Sequence, residues 1–342
     1  MKFELYKIIC RKTTIALFTI IFITIFVTVL LNLTLQEPHF YRYSPHEFVV
    51  YCHERAVYTI GTTGSVFCTC CGYGSIFPVG PGARALPFQA DIDGPLIQRI
   101  LQMYQQVYLP ANIIPNEGFD EIRRFLSAAM FFVGIIIILG VAPVFAEERS
   151  TGVDKIILTA KKGKSKVVLH KILASLVYTA AVYMIFVLAI ALPHLIFHGV
   201  YGWHHPMNFY LFLGASPYNF TILTLLLLHT GLGLISGFLL CMTGLVISTL
   251  SRNAFIAMVP SLLLFIISPF RVAELSVPLH RFMTLFPANA MWSWELWDMP
   301  DFYNVFGLLI DRPVMIVIFS VIGSLALVAS CFFITKRMEA SH

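Results

Sequence analysis

The chain has 342 residues, of which 58% are hydrophobic and 12% charged, with a mean hydropathy of +0.80. Soluble domains carry about 25% charged residues, so a fully water-facing surface is excluded, and with it the two soluble domains that length alone would allow. The net charge of +5 matters through its placement rather than its size.

A helix that crosses a bilayer needs about 20 apolar residues. Six runs reach or approach that length: 13–35, 125–146, 172–197, 222–250, 254–270 and 314–335. Residues 1–12 carry Phe3, Leu5, Tyr6, Ile8 and Ile9 among basic residues, the pattern of an interfacial amphipathic helix on the cytoplasmic side. The first run is too long for a secretory signal, and no small-x-small site follows it, so it reads as an uncleaved anchor. The fifth run is short and interrupted by Pro260 and Pro269. Such breaks are tolerated where neighbouring helices satisfy the freed carbonyls.

Every lysine lies before the first run, between the second and third, or after the sixth, and Arg252 lies between the fourth and fifth. Six crossings bring all of these segments to one side, which the positive-inside rule makes cytoplasmic. The expected fold is an all-α integral membrane protein. It is one transmembrane domain over 1–342, with six transmembrane helices and both termini cytoplasmic. Residues 36–124 form a large extracellular loop after the first helix. Trp292, Trp294 and Trp297 suit the membrane–water boundary, and 279–285 offers a re-entrant element before the sixth helix.

The chemistry-bearing residues are sparse. Gly163-Lys164-Ser165 lacks the earlier glycine of a phosphate loop, because Leu158 stands there. This chain is therefore not expected to be an ATPase. His46-Glu47 and His53-Glu54 do not have the zincin spacing, and no metal site is expected. Cys52, Cys68, Cys70 and Cys71 fall in the outer loop, where oxidation is allowed, and are expected to form one or two disulfides. In the fourth run, Gly233 and Gly237 stand four apart and allow a close helix approach. His229, with Thr230 and Ser236, is the intramembrane group that suits a translocation path. No Ser/His/Asp set and no carboxylate pair lies within the spans.

Between the second and third runs the chain reads Phe145-Ala146-Glu147-Glu148-Arg149-Ser150-Thr151-Gly152-Val153-Asp154-Lys155-Ile156-Ile157-Leu158-Thr159-Ala160-Lys161 and then a basic stretch. The acidic start, the turn at Gly152 and the helical spacing of Val153, Ile156, Ile157 and Ala160 predict a short amphipathic helix under the membrane, with Gly163 as its C-terminal cap. This segment resembles the coupling segment of ABC-2 type transporter permease subunits. Two further features strengthen the resemblance. One is the small-residue-rich end of the fourth run, 244–253, closing on Ser251-Arg252-Asn253. The other is Pro287 and Asn289 before the sixth run.

The resemblance implies a permease subunit of an ATP-driven exporter in the bacterial cytoplasmic membrane. It implies that 147–171 couples to a cytoplasmic ABC ATPase through Glu147, Glu148, Gly152, Asp154, Ile156, Ile157 and Lys161. ATP and Mg would then be bound by that partner and no cofactor by this chain. A second permease subunit and membrane lipid are the other implied partners, and no nucleic acid is expected. The alternative is a membrane-bound sensor or scaffold whose extracellular loop binds a ligand.

Overall fold

The computed structural model describes residues 2–9, 11–35, 59–60, 66–67, 76–77, 99, 103, 117–152, 163–200, 202–207, 216, 218–269, 277–297 and 300–340. These are mostly helical. Helix α1 is Lys2–Ile9, α2 Lys12–Leu35, α3 Glu117–Val141, α4 Pro143–Thr151, α5 Gly163–His198, α6 Ile222–Leu250 and α7 Ala254–Ile267. Two short helices follow, α8 Val277–Met283 and α9 Pro287–Trp292, then a 3₁₀ turn at Trp294–Trp297 and α10 Arg312–Ala340. Three two-residue strands, β1 Thr59–Ile60, β2 Val66–Phe67 and β3 Ile76–Phe77, form an antiparallel sheet. Strands β4 Phe302–Val305 and β5 Leu308–Asp311 form a hairpin that runs directly into α10.

Among the described residues, five helical stretches are long and apolar enough to cross a bilayer: Thr14–Thr34, Gly118–Thr151, Lys166–His198, Ile222–Leu250 and Arg312–Arg337. This is the architecture of a mostly helical, multi-pass membrane protein. The fifth apolar run of the sequence forms a helix of only 14 residues, Ala254–Ile267, about 21 Å long at 1.5 Å per residue. That is short of the roughly 30 Å hydrocarbon core.

Helix α6 is the hub, packing against α3, α4, α5, α7, α9 and α10. Within their apolar windows, 61% of the residues of both α3–α4 and α6 are buried, against 11% in α2 and 17% in α10. The first two therefore form the centre, and α2 and α10 present most of their surface outward. Being apolar on every side, α2 suits hydrocarbon rather than water. Thr24 donates to the Ile20 carbonyl at 2.8 Å and Thr28 to that of Thr24 at 2.7 Å, so neither of these two leaves an unsatisfied hydroxyl proton facing lipid.

Local signals set the boundaries. Thr221 caps α6 by accepting from Thr224 N at 3.2 Å, and Asn253 caps α7 by accepting from Ile256 N at 2.8 Å. Gly199, with φ 73°, ends α5, and its N–H reaches the Leu195 carbonyl at 3.0 Å. Helix α3 begins eight residues ahead of its apolar run, where Asp120 pairs with Arg123 at 2.8 Å and with Arg124 at 2.7 Å, on one face of its first turns. Residues 117–124, read from sequence as the end of the outer loop, are thus helical.

Helices α8 and α9 leave the end of α7 and return to the bundle. Asn289 Nδ2 donates to the Ser268 and Met283 carbonyls, both at 2.9 Å, tying the ends of α7 and α8 together. Pro287 opens α9, where its missing N–H costs nothing, and α9 then packs on α3, α6 and α7.

Candidate functional site

A cluster of charged residues that includes buried Glu148 and Lys171 gathers at the end of the bundle that carries α1. Their placement starts from Pro143. It has no N–H to give to Leu139, so the helical hydrogen-bond ladder is interrupted there and α4 begins. The new helix has no side-chain cap of its own at Ala142. Its first amides are instead met from another helix: Phe145 N and Ala146 N donate to the Ser248 hydroxyl of α6 at 3.0 and 3.1 Å. One turn on, Arg149 Nη1 donates to the Ser251 carbonyl at 3.0 Å. Gly152 then ends α4 in the left-handed region, at φ 73° and ψ 5°, with its N–H on the Arg149 carbonyl.

This stretch carries Glu147 and Glu148, whose environments differ sharply. The Glu148 side chain is 8% exposed and that of Lys171, at the head of α5, is 1% exposed. The two form an ion pair, and Lys171 Nζ also donates to the Val144 carbonyl at 3.0 Å and stands 4.5 Å from the Phe145 ring. Lys7 of α1 reaches the other Glu148 oxygen at 2.8 Å. Glu147 pairs with Arg11 yet keeps 43% of its side chain exposed. Burial lowers the pKa of the Arg11 guanidinium, and Glu147 opposes that shift.

Helix α1 is held by this cluster and by Ile8, which is buried against the core. Its Phe3, Tyr6 and Ile9 remain exposed on another face. Five ionised groups from α1, the α1–α2 junction, α4 and α5 thus form one network, next to the end of α6. It contains no nucleophile–base pair. Among the described residues, no group of three or more His, Cys, Asp or Glu is placed to hold a metal. What the network does is fix α1, α4 and α5 relative to one another, while Ser248 and Ser251 tie α4 to α6.

The other residues singled out by sequence fall elsewhere. Gly152 caps α4, which places the turn where the sequence reading put it and sets Glu147 and Glu148 on the end of the second span. Asp154, Ile156, Ile157 and Lys161 lie outside the described residues, as do Cys52, Cys68, Cys70 and Cys71. Gly163 is the first residue of α5 rather than a C-terminal cap, because the helix of the third span extends nine residues ahead of its apolar run.

His229 is fully packed. Its ring stacks on Trp294 at 3.9 Å, and its Nδ1 accepts from Trp297 Nε1 at 3.1 Å. Trp294 and Trp297 are therefore interior side chains, while Trp292 is 40% exposed. Thr230 is half-buried, and Ser236 is buried. Gly233 and Gly237 are close-approach positions against α5. A Cβ at Gly233 would strike the Tyr183 hydroxyl, and one at Gly237 would lie 3.6 Å from Thr179 Cγ2.

Sequence reasoning missed Lys7, Arg11 and Ser248 as members of the site, and read Lys171 only as part of a basic linker. A signal for Lys171 was present: Val168, Lys171, Ile172 and Ser175 are all buried, at the spacing of one helix face. The comparisons add no assignment: no protein-family model, curated protein or solved structure matches the chain.

Proposed function

We propose that the chain is the membrane-spanning permease subunit of an ATP-driven exporter of the ABC-2 type, coupled to a separate ATPase at the α1 end of the bundle. In this reading α7 with the re-entrant α8 and α9 completes a sixth crossing, both termini are cytoplasmic, and 147–171 forms the docking segment. A second permease subunit completes the transporter. The single observation that carries the reading is the junction of 145–152 with 248–253. These are the two segments on which the family resemblance rests most, about a hundred residues apart in sequence. Ser248 and Ser251 bind them together at the foot of three spans. A push delivered to α4 would pass directly to α5 through Lys171 and to α6 through Ser248. Of the two acidic residues, only Glu147, though paired with Arg11, keeps much of its side chain exposed to a partner, since Glu148 is enclosed by Lys7 and Lys171.

The test is affinity purification of the full chain in mild detergent, followed by assay of ATP hydrolysis in the eluate. The expected result is a co-purifying subunit with a phosphate-loop motif and hydrolysis that falls on Glu147→Lys, with the variant still inserted and folded. A chain that purifies alone under conditions preserving its fold, with no hydrolysis, would contradict the reading.

A further inference from the structure

Because α7 stops at Ile267, it leaves part of the bundle's flank uncovered, and α9 fills that gap incompletely. What remains is a cleft of about 290 Å³ between α6, α7, α9 and α10. Leu240 and Gly244 of α6 line it, Leu264 of α7 and Leu327 of α10 face it from either side, and Gly323 and Ala326 keep the α10 side thin.

Three hydroxyl residues line the cleft, but each hydroxyl proton is already used by its own helix. Thr243 donates to the Leu239 carbonyl at 2.9 Å, Ser261 to Ala257 at 2.8 Å and Ser268 to Phe265 at 3.0 Å. The site therefore offers apolar contact and no donor. It is also deep. Gly323 and Ala326 stand at the middle of the Arg312–Arg337 span, and Leu264 lies about 15 Å along α7 from its start at 1.5 Å per residue. Beyond the rim, Leu263 and Ile267 on α7 and Ile322 and Leu325 on α10 are exposed apolar side chains. They continue the cleft into the outward surface of the spans.

We propose that this cleft holds one acyl chain of a bilayer phospholipid. Water is a poor occupant of an apolar site with no free donor, and an empty cleft forfeits dispersion contacts along its walls. A helix from a second protein, about 10–12 Å across with its side chains, is too wide for 290 Å³. A single hydrocarbon chain satisfies size, polarity and depth together. The proposal requires only that α6 and α10 cross a bilayer, and stands apart from the transporter reading.

The test uses the full chain in vesicles of phosphatidylethanolamine and phosphatidylglycerol, doped with a phosphatidylcholine carrying a mid-chain diazirine. After irradiation, adducts are mapped by mass spectrometry. Labelling is expected to concentrate at Leu240 and Leu327, which line the cleft, over Ile322 and Leu325 on the open face of α10. Ala326 lines the cleft and is itself exposed, so Ala326→Phe blocks the site without displacing the core. It is expected to lower cleft labelling about tenfold, equivalent to about 1.4 kcal/mol of affinity, while labelling at Ile322 is unchanged. Ala326→Leu should give a smaller drop in the same direction and serves if the larger variant misfolds. Cleft labelling no greater than on the open face, or unmoved by either variant, would reduce the contact to ordinary surrounding lipid and overturn the proposal. Absence of cleft adducts while the open face is labelled would overturn it too, and would leave a protein occupant.

Discussion

Replacing Lys171 by Met isolates the energetic centre of the charge network. The substitution keeps most of the side chain's volume and removes its charge. It leaves Glu148 with Lys7 alone, whose side chain is 36% exposed, and takes the donor from the Val144 carbonyl. Removing one partner of a buried pair costs about 3–5 kcal/mol, because the other charge stays buried without compensation. The remaining Lys7 contact puts the expected loss near the lower end, about 3 kcal/mol. Glu148→Gln should cost a similar amount, since Lys171 then keeps only a carbonyl, a neutral amide and an aromatic face. The double variant should be no less stable than either single one, giving a coupling energy of about 3 kcal/mol. The assay is equilibrium unfolding in mixed micelles across the four-protein cycle. Additive single effects, with coupling under about 0.5 kcal/mol, would refute the reasoning.

Three further outcomes follow from other contacts. Ser248→Ala orphans two amides at the start of α4, one of them buried, and should cost about 1–3 kcal/mol in the same unfolding assay. Gly233→Ala pushes a Cβ against the Tyr183 hydroxyl and should destabilise by about 1–3 kcal/mol, with Tyr183→Phe restoring part of the loss in the double variant. At the other end of the bundle, the Tyr218 hydroxyl contacts both Asp311 oxygens, at 2.7 and 2.8 Å. Burial raises the Asp311 pKa, and Tyr218 opposes that. A carboxyl raised on folding lends stability that is complete below its ordinary value of about 3.9 and is lost as pH rises through the folded value. Tyr218→Phe withdraws support from the ionised form, so its cost should be about 1–3 kcal/mol at neutral pH and smaller at acid pH. Asp311→Asn should remove that pH dependence, as thermal unfolding at several pH values would read.

The membrane architecture was legible because hydropathy reports what each long helix touches. The run 222–250 matches α6 residue for residue. The ends were less legible wherever polar contacts extend a helix beyond its apolar run, as Asp120 with Arg123 and Arg124 does in α3. Pro260 and Pro269 flagged the fifth run, but only the packing of α9 against α3, α6 and α7 displays what occupies the space past Ile267. For the site, the sequence drew attention to Glu147 and Glu148 as a pair, and it takes the fold to separate them. The helical register turns Glu148 inward to Lys171 and leaves Glu147 partly in the open. His229 suited a translocation path as an intramembrane ionisable group, yet Trp294 and Trp297 arrive from about seventy residues away to stack on it and bind it. Such long-range partners leave no periodic trace.

Whether the α1 end of the bundle docks an ATPase is tested most directly by site-specific photo-crosslinking in intact membranes. A photoreactive residue is placed at Ser150 or Thr151, both exposed on the last turn of α4, with the exposed Ile322 of α10 as the lipid-facing control. The expected result is a covalent adduct from positions 150 and 151 to a chain bearing a phosphate-loop motif, with Ile322 yielding none. Adducts to lipid alone from all three positions would contradict the assignment.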